Sequence, residues 1–379
     1  MKSLILYPYP MQLDGVSIQG ELLYRGFLEN KLEAVPCDRG ADMEKEWRYK
    51  SYKPDAAIGI GYWGDIPELV QHPQEYGVKA VPWLNADGWV SNYHDTLNSL
   101  PLIMTTSQWV KEIYHRDGVT NKNIHPMPIG IDTNEMKPLP KDHPSVKAVR
   151  EMLGVEDDEK MILTMGGDTT SKGSQEILKA LATVDKEFKK WKYIGKSWYC
   201  PEYHKKDEAK IIKDYNLPEE KIELIEAATG RNFMNALINA CDIYAAPSRI
   251  EGFGMIQVEA QSCGKPVVSI DAMGIKDTVV QGKTGYLAKV GEEINLEEEW
   301  VYENQGFPKK MKIKFDEPKT FAVRADIDEL AEYLLKLLTD DSLREKMGQA
   351  GREHAVNNFH YTKIAKDVSD LVKKKLDIE

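Results

Sequence analysis

The run Asp242-Ile243-Tyr244-Ala245-Ala246-Pro247-Ser248-Arg249-Ile250-Glu251-Gly252-Phe253-Gly254-Met255-Ile256-Gln257-Val258-Glu259-Ala260 begins as a short apolar stretch and ends with helical spacing. It predicts a buried strand, a turn through two glycines, and a helix that packs Met255, Ile256 and Val258. A strand, a glycine turn and a helix N-terminus together make an anion and hydroxyl site. Gly252 and Gly254 would let backbone amides approach a ligand closely. Glu251 lies before the helix and Glu259 roughly two turns into it, so the pair could grip different parts of one elongated ligand. Taken singly, each also fits a blander role, as an acid favoured by the helix dipole or a solvated glutamate.

Working outward, the same strand-and-helix alternation fills the chain. Ser3-Leu4-Ile5-Leu6-Tyr7 reads as a first buried strand and not as a leader peptide, followed by a turn at Asp14-Gly15 and helical periodicity from Ile18 to Asn30. Residues 56–61, 79–84 and 102–105 are further strand candidates. Proline and charge then crowd Met136-Lys137-Pro138-Leu139-Pro140-Lys141-Asp142-His143-Pro144, as in an interdomain linker. Beyond it the pattern restarts. Strands are expected at 160–165, 191–195, 221–225 and 242–246, and Lys265-Pro266-Val267-Val268-Ser269-Ile270 closes the run. The fold class is therefore α/β, with two successive domains of parallel sheet at 1–140 and 141–360. Residues 292–321 break the pattern and read as a charged, solvated insertion whose acidic half (Glu297, Glu298, Glu299) and basic half (Lys309, Lys310, Lys312, Lys314) could pair.

Bulk properties narrow the partners. With 379 residues the chain exceeds what one core usually serves. Apolar residues make up 42% and charged residues 29%, a soluble balance, and no apolar run reaches bilayer length. A net charge of −11 argues against nonspecific nucleic-acid binding. The helix after Ser107 carries only Lys111 and Arg116 as basic residues, too thin for anionic lipid, so no membrane contact is expected. Four scattered cysteines suit reduced thiols in the cytoplasm.

The stretch from Glu251 to Glu259 closely resembles the E-x₇-E signature of family-four retaining glycosyltransferases (group 1 glycosyl transferases). These have the GT-B fold of two Rossmann-like domains facing across a cleft. The likeness continues through Gln261-Ser262-Cys263-Gly264-Lys265-Pro266-Val267-Val268 and Gly282-Lys283-Thr284-Gly285-Tyr286-Leu287, with looser matches at Ser107-Gln108-Trp109-Val110, Ile129-Gly130-Ile131-Asp132 and Lys172-Gly173. The resemblance implies a nucleotide-sugar donor on the second domain, a hydroxyl acceptor on the first, and a C-terminal segment 361–379 packing back on the first. It implies that Glu251 faces the donor sugar, that the amides of Phe253 and Gly254 meet sugar hydroxyls or the diphosphate, and that Glu259 holds the ribose. Lys172 would neutralise the leaving diphosphate, a role that a positioned cation performs well. Gly15 would let the first strand-to-helix turn approach donor phosphate or acceptor, although an ordinary turn fits equally.

Two departures stand out. Relatives carry arginine five residues before the lysine, where this chain has Gly167; Lys196 is the candidate replacement, with a plain surface lysine as the alternative. Relatives carry histidine where Asp87 stands, and an aspartate there could bind a sugar hydroxyl, serve as a base, or only begin the turn at Gly88. The six aromatics Tyr62, Trp63, Trp83, Trp89, Trp198 and Tyr199 fall near strand ends and read mostly as structural. No metal-ligand spacing occurs, so no metal and no cofactor are expected beyond the nucleotide diphosphate sugar as substrate. The expected activity is transfer of a hexose-type sugar to a hydroxyl. Rivals are another GT-B activity (a phosphorylase or an epimerase) and a non-catalytic nucleotide-sugar binder. UDP, GDP and ADP donors all fit a contact made to ribose.

Overall fold

The computed structural model describes residues 1–86 and 88–378. The chain divides into two compact units, one of Met1–Asp132, Asn295–Phe321 and Phe359–Glu379, the other of Thr133–Ile294 and Ala322–Asn358. The proline-rich stretch 136–144 belongs to the second unit, where the Met136 side chain is buried in the core.

The first unit is built on six parallel strands: β1 (Lys2–Tyr7), β2 (Glu33–Asp38), β3 (Ala56–Gly61), β4 (Lys79–Leu84), β5 (Ile103–Thr105) and β6 (Ile124–Pro126), in the order β2-β1-β3-β4-β5-β6. Leu4, Ile5 and Leu6 are all fully buried, as expected for a parallel strand covered on both faces. β2 escaped the sequence reading because Pro36 and Cys37 dilute its apolar pattern. It lies at the sheet edge, where a strand tolerates proline. The helix Tyr361–Leu376 lies against the helix Gly15–Glu29 of the same unit. Close approach there depends on glycine, since a β-carbon on Gly26 would sit 2.6 Å from that of Ala365. Arg25 fixes the junction, donating to Asp132 at 2.8 Å with its guanidinium over the Tyr361 ring.

The second unit repeats the plan with β7 (Lys160–Gly166), β8 (Trp191–Ser197), β9 (Ile222–Glu226), β10 (Ile243–Ala245), β11 (Val267–Ile270) and β12 (Gly285–Ala288), in the order β12-β11-β10-β7-β8-β9, again all parallel. β12 corrects the expectation that the strand ending at Ile270 is the last. The strand carrying Lys196 also runs on to Ser197 instead of stopping at Gly195.

The charged insertion is a two-stranded ribbon, β13 (Val290–Val301) with β14 (Met311–Ala325). Its halves do pair, through Lys312 and Glu298, and Lys310 stacks 4.9 Å over the Trp300 ring. It is not only a solvated surface element, however. Strand alternation turns Val301 and Phe315 inward, where both are buried in the first unit's core, Phe315 edge-on to Trp89 at 5.7 Å. The Asp117 carboxylate anchors the same ribbon, accepting from Arg116 Nε at 2.8 Å and the Val90 amide at 2.7 Å and pairing with Lys319 at 2.8 Å.

Candidate active site

In the second unit the first strand in sequence, β7, lies between β10 and β8, so the chain winds outward from it in both directions. At such a reversal the loops after the two central strands diverge and leave a crevice at the carboxyl end of the sheet. Before they part, the loops after β7 and β10 touch each other at that end of the sheet. The Arg249 amide donates to Ser171 O at 2.8 Å. Gly173, at φ +83°, lets them touch, because a β-carbon there would lie 2.4 Å from Pro247 O.

Across this seam Lys172 Nζ donates to Glu251 Oε2 at 2.6 Å. Gly166 lays the lysine in place: any β-carbon at that position would stand 2.6 Å from Lys172 Cγ, so the alkyl chain runs flat along bare backbone. The other carboxylate oxygen of Glu251 accepts from the Gly254 amide at 3.1 Å. That amide is therefore engaged within the turn, where it holds the Glu251 carboxylate. The turn itself is tightly held. Gly254 takes φ +95°, Phe253 is buried, and the Gly274 amide donates to Glu251 O at 3.0 Å. A β-carbon on Gly274 would sit 2.1 Å from Gly252 O.

Glu259 lies one turn into the helix Met255–Ser262, not two, and is buried. Its carboxylate accepts from Arg231 Nη1 at 2.7 Å, and Arg231 also reaches Glu135 at 3.3 Å. Sequence reading missed Arg231; a lone Gly-Arg pair at a helix start carries too little signal. It missed Glu176 as well, a buried acid that receives Arg249 Nη2 at 2.9 Å and Arg324 Nη1 at 3.0 Å. Arg249 lies two residues before Glu251, so this cluster ties the glycine turn to the helix Ser174–Glu187.

Lys196 is no surface lysine. It is 3% exposed at the carboxyl end of β8, and among the described residues no carboxylate pairs with it. Burial holds its ammonium below the ordinary lysine range. Gly167, one position along from Gly166, is covered by Trp198, whose Nε1 would lie 2.8 Å from a β-carbon at that position. The indole thus occupies the space that a longer side chain at 167 would need. Trp198 and Tyr199 are the exposed members of the six noted aromatics; Trp63, Trp83 and Trp89 are buried.

Lys172, Lys196, Glu251, Gly252, Phe253, Gly254 and Glu259 all lie in the second unit, while Gly15 lies in the first. Gly15 is the exposed first residue of its helix, which Asp14 caps by accepting the Ser17 amide at 2.9 Å. Asp87 lies outside the described residues. Two of the looser motif matches are structural here: Ser107 caps the helix Gln108–Arg116, and Gly130 makes room for Tyr361.

Known proteins similar to this chain are glycosyl transferases. The family model described as "Glycosyl transferases group 1" matches residues 145–317. Through that segment the chain is similar to the group 1 glycosyl transferases. A curated relative, the D-inositol 3-phosphate glycosyltransferase of Xylanimonas cellulosilytica, is 28% identical over 191 residues, covering 49% of this chain and 44% of the relative. The chain spans about half the length of the curated relatives it matches. Among solved structures, sucrose-phosphate synthase from Thermosynechococcus elongatus aligns with a TM-score of 0.74 at 15% identity over 99% of both chains. Anabaena HepE in complex with UDP aligns at 0.72 and 16% identity, over 99% of this chain and 100% of that one, and it is also known in complex with UDP-glucose. The fold is GT-B.

Proposed function

We propose that this protein is a retaining glycosyltransferase that moves a hexose-type sugar from a nucleoside diphosphate donor to an acceptor hydroxyl, without a metal ion. The observation that carries the reading is the Lys172–Glu251 pair, 2.6 Å across the seam between the loops after β7 and β10. As the bond from the sugar's anomeric carbon to the diphosphate breaks, negative charge collects on the departing phosphate. Lys172 stabilises that charge, the work a metal ion does elsewhere. Glu251 meets the sugar hydroxyls, Glu259 the ribose, and Lys196 offers a second cation to the diphosphate. The acceptor hydroxyl forms its bond to the anomeric carbon on the face the diphosphate leaves, and its proton passes to the leaving phosphate oxygen. Asp87 meets a sugar hydroxyl or serves as a base for the acceptor, and Gly15 lets its turn approach donor phosphate or acceptor. A fold shared with HepE, known with UDP and UDP-glucose, supports a nucleotide-sugar donor. Four free thiols suit a cytoplasmic setting.

The test is a thermal-shift screen with UDP, GDP, ADP and their hexose conjugates, followed by an NMR assignment of product anomeric configuration with the donor that binds. A donor-specific rise in Tm and a product that keeps the donor's configuration support the reading. Absence of any shift, or an inverted product, overturns it. One observation favours a second reading, a binder without transfer activity: Trp198 fills the place beside Gly167. Donor binding with neither transfer nor donor hydrolysis across an acceptor panel would favour that reading instead.

A further inference from the structure

The helix Glu202–Asp214 runs after β8 with most of its surface in solvent, and its one fully buried residue is an acid, Glu208. Helices dock on sheets through apolar residues; a buried carboxylate costs free energy unless its surroundings supply hydrogen bonds. Here they come from the loop that carries Lys172. Thr169 Oγ1 donates to Glu208 Oε1 at 3.3 Å, Thr170 Oγ1 at 3.2 Å, and the Ser174 hydroxyl donates to the same oxygen. No cation pairs with Glu208 among the described residues, and burial raises its pKa above the ordinary glutamate range. One turn earlier on the same helix face, His204 Nδ1 lies 3.2 Å from Asp168 Oδ1. Asp168 in turn accepts the Thr170 amide at 2.9 Å. Glu208 therefore holds the loop on both sides of Lys172, at Thr169 and Thr170 before it and at Ser174 after it, and the Lys172 amide donates to Thr169 O at 3.1 Å.

We propose that Glu208 is a positioning residue: from beneath the loop it gathers Thr169, Thr170 and Ser174 onto one carboxylate oxygen and so sets where Lys172 points. What the loop is positioned for rests on the transferase reading; that Glu208 sets its conformation does not. A leucine would spare the helix a buried carboxylate but leave three hydroxyls without their acceptor. The two costs offset, and what the acid adds is geometry.

The experiment compares Glu208→Leu, Glu208→Gln and wild type by hydrogen exchange over residues 168–174 and by kcat and KM for sugar transfer. Glu208→Leu should keep its Tm, exchange faster in that loop, and lose about 10- to 100-fold in kcat with a smaller change in KM, as expected for a misplaced charge. Glu208→Gln, which retains an acceptor oxygen, should restore both readouts. Unchanged exchange in Glu208→Leu, or no rescue by Glu208→Gln, overturns the proposal. If Glu208→Leu fails to fold, the double variant Thr169→Val, Thr170→Val removes two of the three bonds from the loop side, and unchanged exchange or unchanged kcat in it overturns the proposal. A wild type that binds donor but transfers nothing sinks the transferase reading alone, because hydrogen exchange still decides the role of Glu208.

Discussion

Lys172 lies along the bare backbone of Gly166, and the two residues together aim an ammonium at the Glu251 carboxylate 2.6 Å away. A single methyl group at 166 would stand 2.6 Å from Lys172 Cγ. The lysine is flexible and can swing aside, so Gly166→Ala should fold with little change in Tm. It should lose about 100-fold in kcat because a charge off its mark stabilises the leaving group poorly. Lys172→Ala should lose about 100- to 1,000-fold in kcat. Steady-state kinetics with Tm as the fold control checks both.

Lys196 is expected to trade stability against donor binding. Its ammonium is buried, with no carboxylate partner among the described residues, and burial lowers its pKa, so the unfolded chain binds the proton more tightly than the native one. The cost is in full force at neutral pH and fades as pH rises toward the unfolded lysine value of about 10.4. Lys196→Met should therefore raise Tm by about 2–4 °C at pH 7, with the gain shrinking in alkali. The same variant should weaken nucleoside diphosphate binding at least about tenfold, the loss of one charge-assisted contact. Calorimetry and titration across pH 7–10 check the two trends.

Gly274 tests how rigidly the Glu251 turn is held. A β-carbon there meets Gly252 O at 2.1 Å, and backbone cannot step aside as a side chain can. Gly274→Ala should cost about 1–3 kcal/mol and raise the donor Kd. Gly230→Ala, where nothing lies within 4 Å of the new methyl, is the matched control and should change Kd little. Equal effects in the two variants would show that the turn yields.

The Asp117 hub makes a pH prediction. Burial alone would raise its pKa, but hydrogen bonds from Arg116, Lys319 and the Val90 amide outweigh burial and lower it. A depressed folded value contributes stability above the unfolded carboxylate value of about 3.9, and that stability is lost as pH falls through the folded value. Asp117→Asn should be less stable by about 1.5–3 kcal/mol at neutral pH. The gap should close in acid below about pH 4, as followed by urea unfolding at several pH values.

The sequence by itself determined a good deal. Continuous apolar runs marked the central strands β1, β3, β4, β7 and β10, because parallel strands buried on both faces admit little else. The spacing from Glu251 through the two glycines to Glu259 placed a turn and a helix after β10, since those glycines dictate local backbone shape. The edge strands β2 and β12 carried weaker patterns and were not visible, β2 because Pro36 and Cys37 dilute it and β12 because it is only four residues long. The ribbon 290–325 looked like solvated charge because its inward positions, Val301 and Phe315, are diluted among lysines and glutamates. Its partner Trp89 lies some two hundred residues earlier in the chain. Tertiary structure alone decided the pairing of Lys172 with Glu251, 79 positions apart. It also decided the closing of Gly167 by Trp198, the hold of Arg231 on Glu259, and the burial of Glu208. Each of these depends on which strands become neighbours, and the first two also on a missing β-carbon at Gly166 and Gly167. Local sequence encodes backbone preference, whereas such contacts arise only after the sheet has brought distant loops to one edge.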